Sequence, residues 1–126
     1  MSASGKVLRI DHVQLAMPRG SEDRARSFYR DVLGMKEIPK PEPLAGRGGC
    51  WFVSGEAQVH LGVEEGFRRA KKAHPALALE GLDEILAKCE KAALVFKSDA
   101  EIDGRRRVHV FDPFGNRLEL IEEKNN

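Results

Sequence analysis

Three histidines and one glutamate stand at nearly matching places in two halves of this 126-residue chain. His12 lies in Ile10-Asp11-His12-Val13-Gln14 and His74 in Ala73-His74-Pro75-Ala76, each where an apolar run begins. His60 lies in Gln58-Val59-His60-Leu61-Gly62 and Glu119 in Asn116-Arg117-Leu118-Glu119-Leu120, each where such a run closes. His74 follows His12 at nearly the offset by which Glu119 follows His60. Imidazole nitrogens and a carboxylate are the donors of a divalent first-row metal. Duplicated positions therefore suggest a metal site of His12, His60, His74 and Glu119, made by repeating one module. Mg²⁺ and Ca²⁺ prefer more oxygen, which leaves Zn²⁺, Ni²⁺, Fe²⁺, Mn²⁺ or Co²⁺ as the expected ion.

The elements that must position these residues read β-α-β-β-β twice. Residues 7–17 alternate in polarity as a strand and stop at Pro18-Arg19-Gly20. Ser21 is expected to cap a helix that carries Ala25, Phe28, Tyr29, Val32 and Leu33 on one side and ends at Gly34. A short strand at 35–38, a loop at 39–49, and strands at 50–54 and 57–63 complete the first module, about residues 7–63. Glu64 to Ala73 is a charged linker. The second module, about 74–122, has a strand at 74–80 and a helix from Asp83 to Ala93, then a strand from Leu94 to Lys97 and a turn at Ser98-Asp99. It closes on a hairpin of 105–111 and 117–122. The expected fold class is α+β: two βαβββ modules within one domain, 1–126, whose curled mixed sheets form a cleft with helices on the outer face.

Alternation along a strand decides which face each residue occupies. His12 opposes Val13 and Leu15, His60 opposes Val59 and Leu61, His74 opposes Leu77, and Glu119 opposes Leu118 and Leu120. A helix covering the apolar faces leaves the ligand-type residues on the cleft side. Gln14 shares that side, as do Arg107, His109 and Phe111. Gln14, Trp51 and Arg107 are the candidate substrate contacts. His109 lacks a counterpart in the duplication and reads as structural.

Composition narrows the field. Lys and Arg number 21 against 20 Asp and Glu, a net charge of +1, which argues against a nucleic-acid partner. Arg68-Arg69-Ala70-Lys71-Lys72 and Arg105-Arg106-Arg107 read as solvated charge, with attraction of a small anionic substrate as the sharper alternative. Two cysteines far apart give neither a disulfide framework nor a zinc knuckle, and Cys89 on an apolar helical face predicts a buried thiol. No signal peptide and no membrane-length apolar run are evident, so a cytoplasmic location and no membrane association are expected. No serine or cysteine sits in a nucleophile elbow, and Gly46-Arg47-Gly48-Gly49 does not follow a strand as a phosphate loop would.

Phe28-Tyr29-Arg30-Asp31-Val32-Leu33-Gly34-Met35 resembles the first-helix signature of the vicinal oxygen chelate superfamily, and Asp112-Pro113-Phe114-Gly115-Asn116-Arg117-Leu118-Glu119-Leu120 resembles its last hairpin. The superfamily holds glyoxalase I, fosfomycin-resistance proteins, methylmalonyl-CoA epimerase, extradiol dioxygenases and bleomycin-resistance proteins. The resemblance covers about residues 8–122. It implies ligands from the first and last strands of each module, again His12, His60, His74 and Glu119, with Glu119 also the catalytic base. His60 is a departure, since glyoxalase I-like enzymes usually carry Glu there and the epimerases Gln. No insertion builds an extended glutathione or coenzyme A site. The resemblance further implies a homodimer with clefts shared between subunits. The expected function is a divalent-metal-dependent glyoxalase-like lyase, isomerase or transferase acting on a small oxygen-rich substrate. Two alternatives stay open: a non-enzymatic drug- or metabolite-binding protein of bleomycin-resistance type, and an extradiol-type dioxygenase.

Overall fold

The computed structural model describes residues 4–123. The order of elements is β1 (Val13–Met17), α1 (Glu22–Ala25, running on as a π-helical turn, Arg26–Arg30), β2 (Lys36–Ile38), a 3₁₀ segment (Glu42–Arg47), β3 (Cys50–Ser54) and β4 (Ala57–Val63). The second half follows with β5 (Ala76–Leu79), α2 (Leu82–Lys91), β6 (Phe96–Ile102), β7 (Arg105–Phe111) and β8 (Arg117–Glu122). They form two four-stranded mixed sheets, ordered β1-β4-β3-β2 and β5-β8-β7-β6. In each, the first strand runs parallel to the last and the rest of the ladder is antiparallel. This is the twofold βαβββ pattern that the polarity of the chain predicts.

One face of each sheet is apolar. Cys50, Phe52, Val59 and Leu61 of the first sheet and Val108, Val110, Leu118 and Leu120 of the second are buried in one cluster with Phe28, Tyr29 and Val32 of the first helical segment and Leu82 and Cys89 of α2. Burying each large apolar side chain contributes about 1.5–3 kcal/mol, so alternation at these positions fixes the strand registers. The helices therefore lie against these faces and leave the opposite faces to the ligand-type residues.

Several boundaries differ from the sequence reading. β1 begins at Val13, not at residue 7; in its register Ala57, the first residue of β4, stands level with Asp11, so residues 7–10 have no partner strand. Val7, Leu8 and Ile10 consequently lie exposed. β5 likewise begins at Ala76, leaving His74 just outside the strand. The turn expected at Ser98-Asp99 lies instead at Asp103-Gly104, both at positive φ, and β6 runs through to Ile102 with a bulge after Asp99. Asp-Gly suits the positive φ of a tight hairpin turn. Ser21 makes no capping bond through its side chain, and α2 starts from Gly81 in the left-handed region rather than from Asp83. Asp83 pairs with Arg106 at 3.0 Å instead.

The loop expected at 39–49 is partly 3₁₀ and is tied down at its end. The Gly49 N–H donates to the Glu22 carboxylate at 2.9 Å. A Cβ at Gly49 would sit 2.2 Å from the Leu61 carbonyl oxygen, so only glycine allows this close approach to β4. Among the described residues, no helix is long and apolar enough to cross a membrane.

Candidate metal centre

The first module gathers an aromatic stack. β3 sets Trp51 opposite His60, and parallel β1 sets Gln14 beside it. The Trp51 and His60 rings lie 3.8 Å apart at 5°, and His12 stacks on His60 at 4.1 Å and 15°. His60 is thereby only 3% exposed. Its Nε2 lies 2.6 Å from Gln58 Oε1, and His12 Nδ1 lies 2.9 Å from Asp11 Oδ2. Burial first, then the neighbouring His12, pushes the His60 pKa down to about 4, with Lys40 adding to the effect and Asp11 opposing it. His60 is therefore a neutral imidazole at neutral pH, the form in which a histidine binds a metal.

The second module gathers His74 and Glu119. Residues on β5 pair with β8 at Ala76↔Glu119, and His74 precedes that pair on the same face. His74 Nε2 lies 3.0 Å from Glu119 Oε1, and His74 Nδ1 donates to the Lys72 carbonyl at 2.7 Å. In the neutral tautomer that this bond selects, Nε2 carries a lone pair aimed at an anionic oxygen. Such a contact needs a proton or a cation between the two atoms. A histidine whose outer nitrogen is held by a backbone carbonyl while the inner one faces a carboxylate has the arrangement common to metal ligands.

Arg107 does not stand free. Its guanidinium reaches Glu119 Oε2 at 3.3 Å and Asp99 Oδ2 at 3.2 Å, and its Nε donates to the Ala100 carbonyl at 2.6 Å. Burial works against the charged Glu119, but His74 and Arg107 outweigh it and hold the carboxyl below its usual range. Asp99 also accepts from His109 Nε2 at 2.9 Å, while Arg117 Nε donates to His109 Nδ1 at 3.2 Å. Both nitrogens of His109 are thus engaged. His74, His109 and Glu119 nonetheless place ligand atoms within 4.8 Å of one another, and among the described residues no other three His, Cys, Asp or Glu side chains do.

Each expected pair therefore meets, His12 with His60 and His74 with Glu119, but the two pairs do not converge within one chain. A hollow of about 440 Å³ is lined by Asp11, His12, Gln58, Ala76 and Ala78; of the four expected ligands only His12 borders it. Asp99, His109 and Arg117 were not singled out from the sequence as site residues. Strand alternation gave the one signal, by putting Arg107 and His109 on the same face; Asp99 lay hidden in the misplaced turn.

Comparison with known proteins fits this geometry. The chain is 30% identical over 133 aligned positions to a lactoylglutathione lyase of Haemophilus influenzae, covering 94% of this chain and 95% of that protein. It matches the structure of a protein assigned to the glyoxalase family from Bacillus anthracis at 45% identity and a TM-score of 0.89, covering 97% of this chain and all of the other (100%). The fosfomycin resistance protein FosX of Listeria monocytogenes shares the fold, with a TM-score of 0.74 at 13% identity over 94% of this chain and 96% of that one. Residues 9–120 match the model of one family, and the chain belongs to it: the Glyoxalase/Bleomycin resistance protein/Dioxygenase superfamily.

Proposed function

We propose that the chain is a divalent-metal-dependent glyoxalase-like enzyme that acts as a lyase, isomerase or transferase on a small oxygen-rich substrate. The observation that carries this reading is the contact between His74 Nε2 and Glu119 Oε1, two ligand atoms 3.0 Å apart with the outer nitrogen of the imidazole already held by a carbonyl. Two of the donors are favoured in their binding form: His60 is kept neutral and Glu119 charged. The residues present fit a first-row divalent ion held by His12, His60, His74 and Glu119. When bound, such an ion supplies Lewis-acid polarisation of substrate oxygens.

Glu119 is the proton acceptor of this reading. Oε2 is held by Arg107 and Oε1 by His74, so Oε1 would have to leave its ligand position to receive a proton from carbon or oxygen of a substrate. Gln14 and Trp51 border the cleft and orient the substrate. Arg107 acts through Glu119 and Asp99 and not by direct contact with substrate.

Completion of the four-ligand set calls for a second copy. β1 and β5 each pair with one neighbouring strand only and stand at the edge of their sheets. We infer a homodimer in which β1 of one subunit lies beside β5 of its partner, so that His12 and His60 of one chain meet His74 and Glu119 of the other. Two free, buried cysteines fit a cytoplasmic location.

The test is elemental analysis of protein purified without chelator, beside the variants His12→Ala, His60→Ala, His74→Ala and Glu119→Gln. One ion per chain in the wild type and loss in each variant is the expected result. A wild type that takes up none of Zn²⁺, Ni²⁺, Fe²⁺, Mn²⁺ or Co²⁺ ends the enzyme reading. With metal present, a screen of 2-oxoaldehyde–thiol adducts is the first assay.

A further inference from the structure

A second, smaller hollow of about 170 Å³ lies beside the aromatic stack, lined by Gln14, Trp51 and Gly62 of the sheet and by Lys40, Leu44 and Arg47 of the segment that folds over it. No carboxylate lines it. Neither Lys40 nor Arg47 belongs to any of the ion pairs among the described residues, whereas Arg26 and Arg107 each pair with two carboxylates.

We propose that this hollow is an anion subsite: Lys40 and Arg47 hold the carboxylate or phosphonate of a small organic substrate whose body lies against Trp51 and Leu44. This deepens the proposed function and rests on it for the fate of the substrate's other end. Binding in the hollow itself does not need the metal.

Lys40 is held on firm support, while Arg47 is exposed at the end of the segment. The Lys40 ammonium is half-buried and donates to the Gly48 carbonyl, which uses one of its three protons and leaves two for a ligand. The segment end is pinned by the bond from Gly49 to Glu22 and by the glycine-only contact of Gly49 with β4. On the opposite wall, the Gln14 amide lies over Gly62, where a Cβ would come within 2.5 Å of its Nε2. Gly62 follows His60 by two residues, a rise of about 7 Å along the strand. An anion in the hollow with an oxygen function a few bonds away therefore spans to His60.

Size sets the class of substrate. Sites for drug-sized ligands run to roughly 300–1,000 Å³. At about 170 Å³ the hollow holds the acidic end of a substrate and not a whole drug-sized ligand. The subsite thus selects substrates that carry an anionic group a few bonds from a second oxygen function.

Trp51 is the chain's one tryptophan, so its fluorescence reports on the hollow. The full-length protein is titrated with benzoate, phenylphosphonate and the neutral benzamide, and its metal content is measured on the same samples. Saturable quenching by the anions and not by benzamide is expected. Lys40→Gln and Arg47→Gln should each weaken it by about tenfold, the loss of one charge-assisted hydrogen bond, while Lys40→Arg retains most of it. Equal quenching by benzamide, or wild-type affinity for both anions in the Lys40→Gln, Arg47→Gln double variant, overturns the proposal. Preference for phenylphosphonate over benzoate, or the reverse, identifies the anion. Metal retained with no charge-dependent binding sinks the subsite alone. Charge-dependent binding by protein that takes up no metal upholds the subsite and sinks the metal reading.

Discussion

The hydroxyl of Tyr29 donates to Asp112 Oδ2 at 2.7 Å and ties the helical segment of the first module to the last hairpin of the second. Asp112 is almost wholly buried and accepts three further bonds, from the Phe114 and Asn116 backbone N–H groups and from Asn116 Nδ2. Asn116 Nδ2 also donates to the Ala16 carbonyl at the end of β1. The residues that carry the family resemblance in both halves are thus one buried polar node that sets the modules against each other.

Breaking this node should cost stability. Tyr29→Phe removes one donor and leaves Asp112 with its other partners, so a loss of about 1–3 kcal/mol is expected in urea unfolding. Asp112→Ala orphans several buried donors at once and should cost more. Burial pushes the Asp112 pKa up, so the native chain binds this proton more tightly than the unfolded one. Its contribution to stability is therefore present at low pH and declines as pH rises above the ordinary value of 3.8. The difference in stability between wild type and Asp112→Asn, followed from pH 3 upward in the range about 3–7, should show that decline. A flat difference would show the carboxyl to be unperturbed.

His60 should stay neutral where an ordinary histidine is charged. With its pKa near 4, the native ring remains unprotonated at pH 5 while the unfolded ring, near 6.5, takes a proton. Folding stability from this residue is thus complete above about pH 6.5 and falls as pH drops toward 4. Trp51→Ala uncovers one face of the ring and should move the pKa back toward 6.5. Nitrogen-detected NMR of the His60 imidazole reads both, and a midpoint near 6.5 in the wild type would contradict the burial argument.

Alternation made the fold legible. Leu118, Glu119 and Leu120 predict a strand with the carboxylate on the cleft side, and Glu119 faces Ala76 and His109 across its neighbours. What alternation does not encode is where a strand loses its partner. Residues 7–12 alternate as well as 13–17 do, yet 7–10 run past the start of β4 and none of the six pairs with it. Nor does it encode side-chain reach. Arg107 lies on the cleft face as expected, but two carboxylates capture it, one of them on a stretch of β6 that read as a turn.

Arg107 should govern metal affinity through Glu119. Arg107→Ala frees Oε2 and leaves a buried carboxylate without its counter-charge, which should weaken metal binding by about 10- to 100-fold, the usual cost of losing a partner behind a ligand. Substrate affinity in metal-saturated protein should change little. His109→Ala should leave metal content unchanged, because Asp99 and Arg117 already occupy both ring nitrogens. Competition with a fluorescent chelator measures both variants. Loss of the metal on His109→Ala would make His74, His109 and Glu119 the ligand set of a single chain.

Subunit mixing decides whether the two half-sets meet across a dimer. One variant carries His12→Ala and His60→Ala, the other His74→Ala and Glu119→Gln. Each alone should bind no metal. A heterodimer formed from them has one cleft with all four wild-type ligands and one with none, if each cleft draws on both chains. After denaturation and joint refolding, about half the dimers are mixed, so metal content should return to about a quarter of the wild-type value. If all four ligands came from one chain, no mixture could restore a site. Light scattering on the wild type runs in parallel, and a monomer at micromolar concentration would rule out the shared cleft regardless of the mixing result.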